Sequence, residues 1–340
     1  MSGQSPQRLR NMKEFSEVTG LSRPTVSKYF HDPASVRPST RAKIETALKK
    51  YDYLPNFLAV NQNRRNPKTV GIIVPHLVDP FYAELVGRIE RECIGRGYSA
   101  IIQSSHGSRD DEDRAIDMMR ALNIGGVILS PLGAASDLGK IEMLAEEVPV
   151  LLVDSHVGKR LPAITCDNAQ GIGVIVEHLC REGAPPVYID MPDVNSTATE
   201  RREAYIAAME ANGRAPVVLG GGPVRWDFEQ FGYEVARAQL VNGGFAYPAV
   251  LCANDRFAMG VFRAACELGL RIGKDGDFRL AGHDDHPFAD FTCPGLTTVA
   301  QDVEGLAAGA VDMILDLMTR GETAERLVRL PSRLVLRDSA

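Results

Sequence analysis

NMKEFSEVTGLSRPTVSKYF, residues 11–30, is the stretch that decides the fold of the N-terminal part of this chain. Its apolar residues recur at helical spacing on both sides of Gly20, which predicts two short helices joined by a tight turn. These apolar residues are Met12, Phe15, Val18, Leu21 and Val26. We expect Phe15, Val18 and Val26 to pack on one another.

The two predicted helices have suitable residues at their ends. Asn11 and Ser22 stand where the helices would begin, and their side-chain oxygens can accept from free backbone N–H groups. Gly20 stands where the first helix must end, a position that favours a residue able to adopt positive φ. Pro24 falls in the first turn of the second helix, where its missing N–H has no helical partner.

The outward face of the second helix carries donors suited to nucleic acid. Arg23, Thr25, Ser27 and Lys28 suit phosphates and guanine edges, at the end that a helix-turn-helix inserts into the major groove. An ordinary pair of surface helices is the alternative that this short pattern leaves open.

Composition indicates a globular protein of two or three domains. The chain has 340 residues, 44% hydrophobic and 24% charged. We expect no membrane span, because no apolar run is long enough, and no signal peptide at the N-terminus. Six scattered cysteines without a CxxC pair favour reduced thiols, so we expect a cytoplasmic protein, at the bacterial nucleoid when bound to DNA.

Charge is unevenly distributed along the chain. Residues 1–68 contain thirteen Lys and Arg against five Asp and Glu, whereas the rest contains 25 basic and 39 acidic residues. A basic head on an acidic body is typical of a phosphate-binding module whose remaining domains do not bind DNA.

A third helix is predicted over residues 39–50, with Ile44, Ala47 and Leu48 on its inner side. Residues 57–63 are expected to stay disordered until something docks against them, since a helix of two turns is marginal in water. From Thr69 onward, apolar strands alternate with helices in two successive series. This alternation predicts two doubly wound, parallel-sheet subdomains with strands covered on both faces and a ligand cleft at the strand ends.

The predicted division has four parts, an all-α helix-turn-helix domain, a hinge and two α/β subdomains. Their boundaries are 1–54, 55–68, 69–170 with 298–326, and 171–297 with 327–340.

The motifs in this order resemble those of the lactose-repressor (LacI/GalR) family. They are GLSRPTVSKYF, VRPSTRAKIETALKKYDYLPN, VGIIVP followed by DPFY, CDNAQG, TATERREAY, CANDRFAMG, GHDD and LTTVAQD, between Asn11 and Asp338. The resemblance implies a periplasmic-binding-protein-like effector domain and a homodimer that binds a palindromic operator. It also implies a small effector between the subdomains.

The resemblance implies DNA contacts at thirteen positions. The base-reading residues would be Arg23, Pro24 and Lys28. Phosphate, groove-edge and hinge contacts would come from Asn11, Ser22, Thr25, Ser27, His31, Ser35, Thr40, Asn56, Ala59 and Gln62. Helix capping is an equal alternative for Thr25 and Thr40.

The hinge departs from the family pattern, because Gln62 stands where the family has a minor-groove leucine. An apolar wedge kinks DNA, whereas Gln62 can hydrogen-bond a base edge. We therefore expect a weaker central kink.

Polar residues at predicted strand ends and helix starts, together with three aromatic residues, indicate an effector site for a sugar ring. Arg201 is the strongest candidate, because its guanidinium can hold hydroxyls or a carboxylate. The others are Phe81, Tyr82, Asp154, Thr197, Trp226, Asn254 and Asp284, with Arg109 and Gln301 added by position in the family. Plain packing is the alternative for Trp226, and helix capping is the favoured interpretation of Asp255 and Asp167. His283 replaces a common tyrosine and suggests pH sensitivity.

Other functional classes fit less well. A periplasmic sugar-binding protein would not need residues 1–68, and an enzyme would need a motif that the sequence lacks. Gly171 and Gly173 form only a fragment of a dinucleotide loop. We expect no enzyme activity, cofactor or metal, and a corepressor other than a sugar remains the alternative within the family.

Overall fold

The computed structural model describes residues 7–55, 67–158, 160–321 and 326–340, with His31 described in its backbone only. The chain forms two compact units, residues 1–69 with 121–124 and residues 70–120 with 125–340. Each unit is built around its own core. The predicted contacts at Asn56, Ala59 and Gln62, and the predicted disorder of residues 57–63, lie outside the described residues.

The first unit contains the predicted helix-turn-helix. Helices α1 (Met12–Thr19) and α2 (Arg23–His31) precede a short 3₁₀ turn, Pro33–Ser35, and helix α3 (Pro38–Lys50). Asn11 and Ser22 are the N-caps of α1 and α2, and each accepts a hydrogen bond from a backbone N–H three residues later. Gly20 ends α1 with φ of 62°, so the local signals at these ends are confirmed.

The core of the first unit joins all three helices. Phe15, Val26 and Ile44 are fully buried, and the ring of Tyr53 stacks on Phe15 with 4.5 Å between centroids. The expected packing of Val18 is wrong, because Val18 is 40% exposed. The inner face of α1 is centred between Phe15 and Ser16, which brings Thr19 inside. The Thr19 hydroxyl is satisfied there by donating to Phe15 O at 2.8 Å.

The second unit contains the predicted strand–helix alternation. Its first series is β1 (Thr69–Val74), α4 (Pro80–Gly95), β2 (Ser99–Ser104), α5 (Arg109–Ala121), β3 (Gly126–Leu129), α6 (Leu138–Glu147), β4 (Val150–Val153) and β5 (Ala163–Cys166). Its second series is α7 (Asn168–Arg181), β6 (Pro186–Asp190), α8 (Ser196–Ala211), β7 (Val218–Gly220), α9 (Phe228–Val241), β8 (Ala249–Cys252), α10 (Asp255–Glu267) and β9 (Arg279–Ala281). The chain ends with β10 (Thr298–Ala300), α11 (Val303–Arg320), β11 (Leu327–Leu330) and β12 (Arg333–Val335).

Among the described residues the strands form two parallel sheets, one for each subdomain, and one two-stranded antiparallel ribbon. The first sheet has the order β11-β5-β4-β3-β1-β2, and the second has the order β7-β6-β8-β9. The fold class predicted from the alternation is confirmed. Central strands such as β1, β4 and β6 are buried along their whole length. Edge strands β2 and β7 are only partly covered, so burial on both faces holds for the interior strands alone.

The C-terminal boundary of the subdomains differs from the prediction. Residues 327–340 were expected in the second subdomain, but β11 pairs in parallel with β5 of the first sheet. Strand β12 pairs with β10 instead, in an antiparallel ribbon. The single predicted strand over 328–338 is therefore two strands in different sheets, because Pro331 and Ser332 interrupt it.

Across the described ranges, no helix has both the length and the apolar content that crossing a bilayer requires. No cluster of three or more His, Cys, Asp or Glu side chains in the same ranges is arranged to hold a metal ion.

Candidate functional site

The N-terminal end of α2 presents the side chains predicted to contact DNA. Arg23, Pro24 and Lys28 are exposed, as DNA contact requires. Thr25 makes a hydrogen bond of 2.8 Å to the hydroxyl of Ser22, the N-cap residue. Thr25 therefore takes part in capping α2, which was the alternative to phosphate contact in the sequence analysis.

The remaining described residues of the predicted DNA surface make local hydrogen bonds or lie half-buried. Asn11 caps α1 through Glu14 N at 3.0 Å, and the Ser35 hydroxyl donates to Asp32 O at 2.7 Å. Ser27 and Thr40 are half-buried. Arg37 is the N-cap of α3 and makes no capping hydrogen bond from its side chain.

Nine of the ten side chains predicted to bind the effector line one cavity between the two subdomains. They are Phe81, Tyr82, Asp154, Thr197, Arg201, Trp226, Asn254, Asp284 and Gln301. They converge because the carboxyl ends of the strands of both sheets meet at this cleft. Asp79, Met191, Val194, Asn195 and Phe228 complete the lining and were not predicted.

Arg109 is the exception, because it does not line this cavity. Its side chain is 56% exposed and forms an ion pair of 2.6 Å with Asp137, away from the cavity lining. Arg109 is the first residue of α5, and the residue that follows it, Asp110, is also exposed.

Arg201 lies at the centre of the site and is almost completely buried on α8. Its guanidinium donates from Nε to Asn168 Oδ1 at 2.9 Å and from Nη1 to Ala253 O at 2.7 Å. Its Nη2 donates to Asp284 Oδ1 at 3.0 Å. These three bonds fix the plane of the guanidinium, so Arg201 presents its remaining N–H groups in one orientation.

Asp284 is the acceptor on which the site converges. Besides Arg201, it accepts from Gln301 Nε2 at 2.7 Å and contacts His283 Nδ1 at 3.0 Å. Burial opposes ionisation, but the Arg201 charge and the His283 hydrogen bond hold the pKa of Asp284 well below its usual range. Asp284 is therefore a charged partner of Arg201 throughout the physiological pH range.

His283 does not titrate near neutral pH. Burial, reinforced by the Arg201 charge, lowers the pKa of His283 to about 4. The pH sensitivity suggested by the sequence is therefore not expected at His283.

Two further acidic residues, Asp167 and Asp255, make local hydrogen bonds. Asp167 caps α7 as predicted, whereas Asn254 rather than Asp255 caps α10. Asp255 instead accepts from Thr298 Oγ1 at 2.6 Å.

Asp154 follows β4 and has a left-handed backbone, with φ of 65°. Its Oδ2 accepts from the Tyr82 hydroxyl at 2.8 Å, and its carbonyl accepts from Thr197 Oγ1 at 3.1 Å. Burial raises the pKa of Asp154 to about 7, against the opposing effects of the Tyr82 hydrogen bond and the Arg201 charge. This carboxyl therefore exchanges its proton near neutral pH.

The mouth of the cleft is closed by a latch, formed by Asp79 of the first subdomain and Arg256 and Glu229 of the second. Arg256 Nη1 lies 2.8 Å from Asp79 Oδ2, with only 12% and 7% of the two side chains exposed. Arg256 also binds both carboxylate oxygens of Glu229, each at 2.7 Å. The latch therefore couples the two subdomains at one point.

Trp226 closes the same mouth from the second subdomain. Its ring lies 4.8 Å from that of His76 and against Gly107, where an added Cβ would come within 2.2 Å of Trp226 Nε1. The enclosed cavity has a volume of about 40 Å³, which is far below the several hundred Å³ of a small-molecule pocket. A ligand of the size of a sugar could therefore enter only through an opened cleft.

Replacing Arg256 with glutamine should open the cleft. The change leaves Asp79 buried without its cation, and breaking a buried ion pair costs about 3–5 kcal/mol. Trp226 is the single tryptophan of the chain, so acrylamide quenching of its fluorescence measures exposure of the mouth. We expect stronger quenching in Arg256→Gln than in the unaltered protein.

Arg120→Gln is the matched control, because Arg120 pairs with Asp117 and Glu147 inside the first subdomain alone. Equal quenching in the two variants would show that Arg256 does not hold the mouth closed.

Two regions of this chain match models of known protein families. Residues 11–56 match the family model "Bacterial regulatory proteins, lacI family", and residues 176–340 match "Periplasmic binding protein-like domain". The ribose operon repressor of Escherichia coli (strain K12) is 28% identical over 98% of this chain and 100% of its own length. The transcriptional repressor PurR of Proteus mirabilis is 28% identical over 97% of each chain.

A solved structure resembles this chain over nearly its whole length. The lac repressor dimer bound to operator and the anti-inducer ONPF superimposes with a TM-score of 0.83 at 25% identity, covering 98% of this chain and 99% of the other.

Proposed function

We propose that this chain, which belongs to the LacI family of bacterial regulatory proteins, is a cytoplasmic repressor that binds a palindromic operator as a homodimer and responds to a sugar-like effector. One observation carries the proposal. A single chain joins a helix-turn-helix with an exposed, basic recognition helix to a cleft whose polar side chains converge on Arg201. Neither part alone requires the other, whereas a ligand-controlled regulator requires both.

Selection of binding sites from random duplex DNA tests the proposal. We expect the full chain to enrich an inverted repeat, and its affinity for that repeat to change when the effector is added. A chain without residues 1–68 should lose operator binding and keep effector binding. Failure to prefer any duplex sequence, with every metabolite tried, would refute the proposal.

Arg23→Ala should weaken operator binding. A side chain that bonds a guanine edge contributes about 1–3 kcal/mol of discrimination, and Arg23 lies exposed in the first turn of α2. We expect lower affinity and relaxed preference at one base pair of each half-site, measured by titration of single-base operator variants. Glu45→Ala, exposed on α3, is the control, and relaxed preference in that variant too would argue against a base contact at Arg23.

The cleft supports a sugar as the effector. Hydroxyl groups pair with side chains that donate and accept, and the C–H faces of a sugar ring lie against aromatic rings. Asn254, Thr197 and Gln301 supply the first kind of contact, and Phe81 and Trp226 supply the second. A ribose operon repressor and a sucrose operon repressor are among the relatives of this chain.

An apolar groove supports the homodimer. The groove has a volume of about 690 Å³ and lies on the second subdomain, between α10 and the segment before β10. Met259, Phe262, Leu270 and Ile272 line it together with Arg263 and Arg271. Beside it stands Phe291, which is 85% exposed. A second copy would supply its own Phe291 to this groove, as expected of an interface with two-fold symmetry.

Phe291→Arg should therefore convert the dimer to a monomer. It replaces an exposed aromatic anchor by a charge that would face Arg263 and Arg271 of a second copy. We expect sedimentation at monomer mass and a large loss of operator affinity, because a monomer binds one half-site only. Val241→Arg, exposed on α9, should remain dimeric, and an unchanged dimer in Phe291→Arg would exclude this surface.

Effector binding would act on the dimer by shifting the cleft between open and closed forms. The shift changes the spacing of the first subdomains and so the fit of the paired N-terminal units to the operator. An effector moves this equilibrium only by its difference in affinity for the two forms. Induction fits a sugar effector, and a corepressor of other chemistry is the alternative. Operator affinity with and without effector distinguishes them by its sign.

A further inference from the structure

The cavity contains more negative than positive side chains. Among its described lining residues, the charged ones are Asp79, Asp154, Asp284 and Arg201. The charge that a ligand meets depends on which of these groups are already neutralised by a partner.

Both cations near the cavity are already paired. Arg201 Nη2 binds Asp284 at 3.0 Å, in a contact with 3% and 8% of the two side chains exposed. Arg256 is shared between Asp79 and Glu229 in the latch. An incoming anion would therefore have to share either guanidinium with a buried carboxylate.

Asp154 is left without a cation. It accepts a hydrogen bond from Tyr82, and none of the ion pairs of the described residues includes it. Burial makes the charged form less favourable in two nearby histidines, His283 and His76. It lowers the pKa of His283 to about 4, and it also lowers the pKa of His76 despite the opposing charge of Asp79. The cavity therefore has excess acceptor capacity and, once Asp154 is ionised, a negative balance of charge.

We propose that this cleft selects an uncharged or amine-bearing polyhydroxyl effector and rejects its phosphorylated or carboxylated counterparts. The inference rests on the proposed sugar-like effector and specifies its charge. Hydroxyl or ammonium groups of such a ligand donate to Asp154. A phosphate or carboxylate in the closed cavity would lie beside Asp154 and Asp284 without a cation of its own, and burying an unpaired charge is strongly unfavourable.

The test is a panel of matched sugars measured on the full chain by thermal shift and by Trp226 fluorescence, at about pH 8, where most of Asp154 is ionised. D-Ribose and D-glucose are compared with their terminal phosphates and their aldonic acids, and D-glucosamine is the amine-bearing member. We expect an uncharged or amine-bearing member to bind, and its anionic counterparts to bind at least about 100-fold more weakly.

The Asp154→Asn variant tests the cause of the discrimination. Asparagine keeps the shape and the acceptor for Tyr82 and removes the negative charge. We expect the preference for uncharged over anionic sugars to shrink about tenfold or more, as removal of one like charge at close range implies. Asp193→Asn makes the same change of charge at an exposed side chain outside the cavity and should leave the preference unaltered.

Each outcome decides between the two proposals. Binding of a phosphorylated or acidic sugar as tight as that of its uncharged counterpart overturns the charge selection and leaves a sugar-like effector intact. An unaltered preference in Asp154→Asn overturns the role of Asp154. If no member of the panel binds, the sugar-like effector is refuted, and the charge selection with it.

Discussion

Arg201→Ala should abolish the response to the effector while leaving operator affinity nearly unchanged. Arg201 presents its guanidinium to the cavity in one orientation, fixed by Asn168, Ala253 and Asp284. The helices that we propose to bind the operator belong to the other compact unit, which has its own core. Operator titrations with and without effector should give the same affinity in the variant and different affinities in the unaltered protein.

The same substitution should destabilise the second unit. Asp284 would stay buried without its cation, and removal of one partner of a buried ion pair costs about 3–5 kcal/mol. Replacing both partners, as Arg201→Met with Asp284→Asn, should recover much of the stability without recovering the effector response. This double variant separates loss of binding from loss of folding.

Arg202→Ala is the control for position on the helix. Arg202 is the next residue on α8 and pairs with the buried Asp190, but it does not line the cavity. We expect Arg202→Ala to lower the stability and to keep the effector response. A normal response in Arg201→Ala would show that the effector binds elsewhere.

Asp154→Asn should make the second unit more stable at alkaline pH. Burial raises the pKa of Asp154 to about 7, whereas an unfolded Asp titrates near 3.9. The folded chain therefore holds a proton that the unfolded chain releases. The raised pKa stabilises the folded chain, and this stabilisation is fully present below the unfolded pKa. It is lost as the pH rises through about 7, and the free energy of unfolding falls by about 4 kcal/mol in total.

Asparagine carries no such proton and tolerates the left-handed backbone that Asp154 adopts. The free energy of unfolding of the variant, relative to the unaltered protein, should therefore rise between about pH 4 and pH 8. Denaturant titrations at several pH values measure this difference. Asp193→Asn, at an exposed carboxylate, is the control for loss of a surface carboxylate. A difference for Asp154→Asn that does not change with pH would mean that the pKa of Asp154 is not raised.

Local sequence signals predicted the positions of most elements and most of the cavity. Caps at Asn11 and Ser22, and Gly20 at a left-handed turn, act within a few residues, so they are visible in the sequence. The cavity residues were found because parallel strands bring their carboxyl ends to one edge. Arg109 was assigned by position alone, without a strand end or an apolar neighbour to support it, and it lies outside.

Residues that meet across the fold were not predicted. The latch joins Asp79 to Arg256 over 177 positions in the chain, and neither residue differs in the sequence from an ordinary helix-end or surface residue. The correct sheet for β11 was missed for the same reason. Strand β11 could pair with the edge strand of either sheet, and its own residues do not specify that it pairs with β5.

Signals within the sequence specified the two kinds of unit, the helix ends, the alternation of strands and helices and the resemblance to LacI-family regulators. These depend on the periodicity and chemistry of residues close together in the chain. Which charges are neutralised in the cleft, by contrast, became visible only in the folded arrangement. The pairing of Arg201 with Asp284, the latch at Asp79 and the unpaired Asp154 depend on distances between separate elements and on burial, which sets the cost of an unpaired charge.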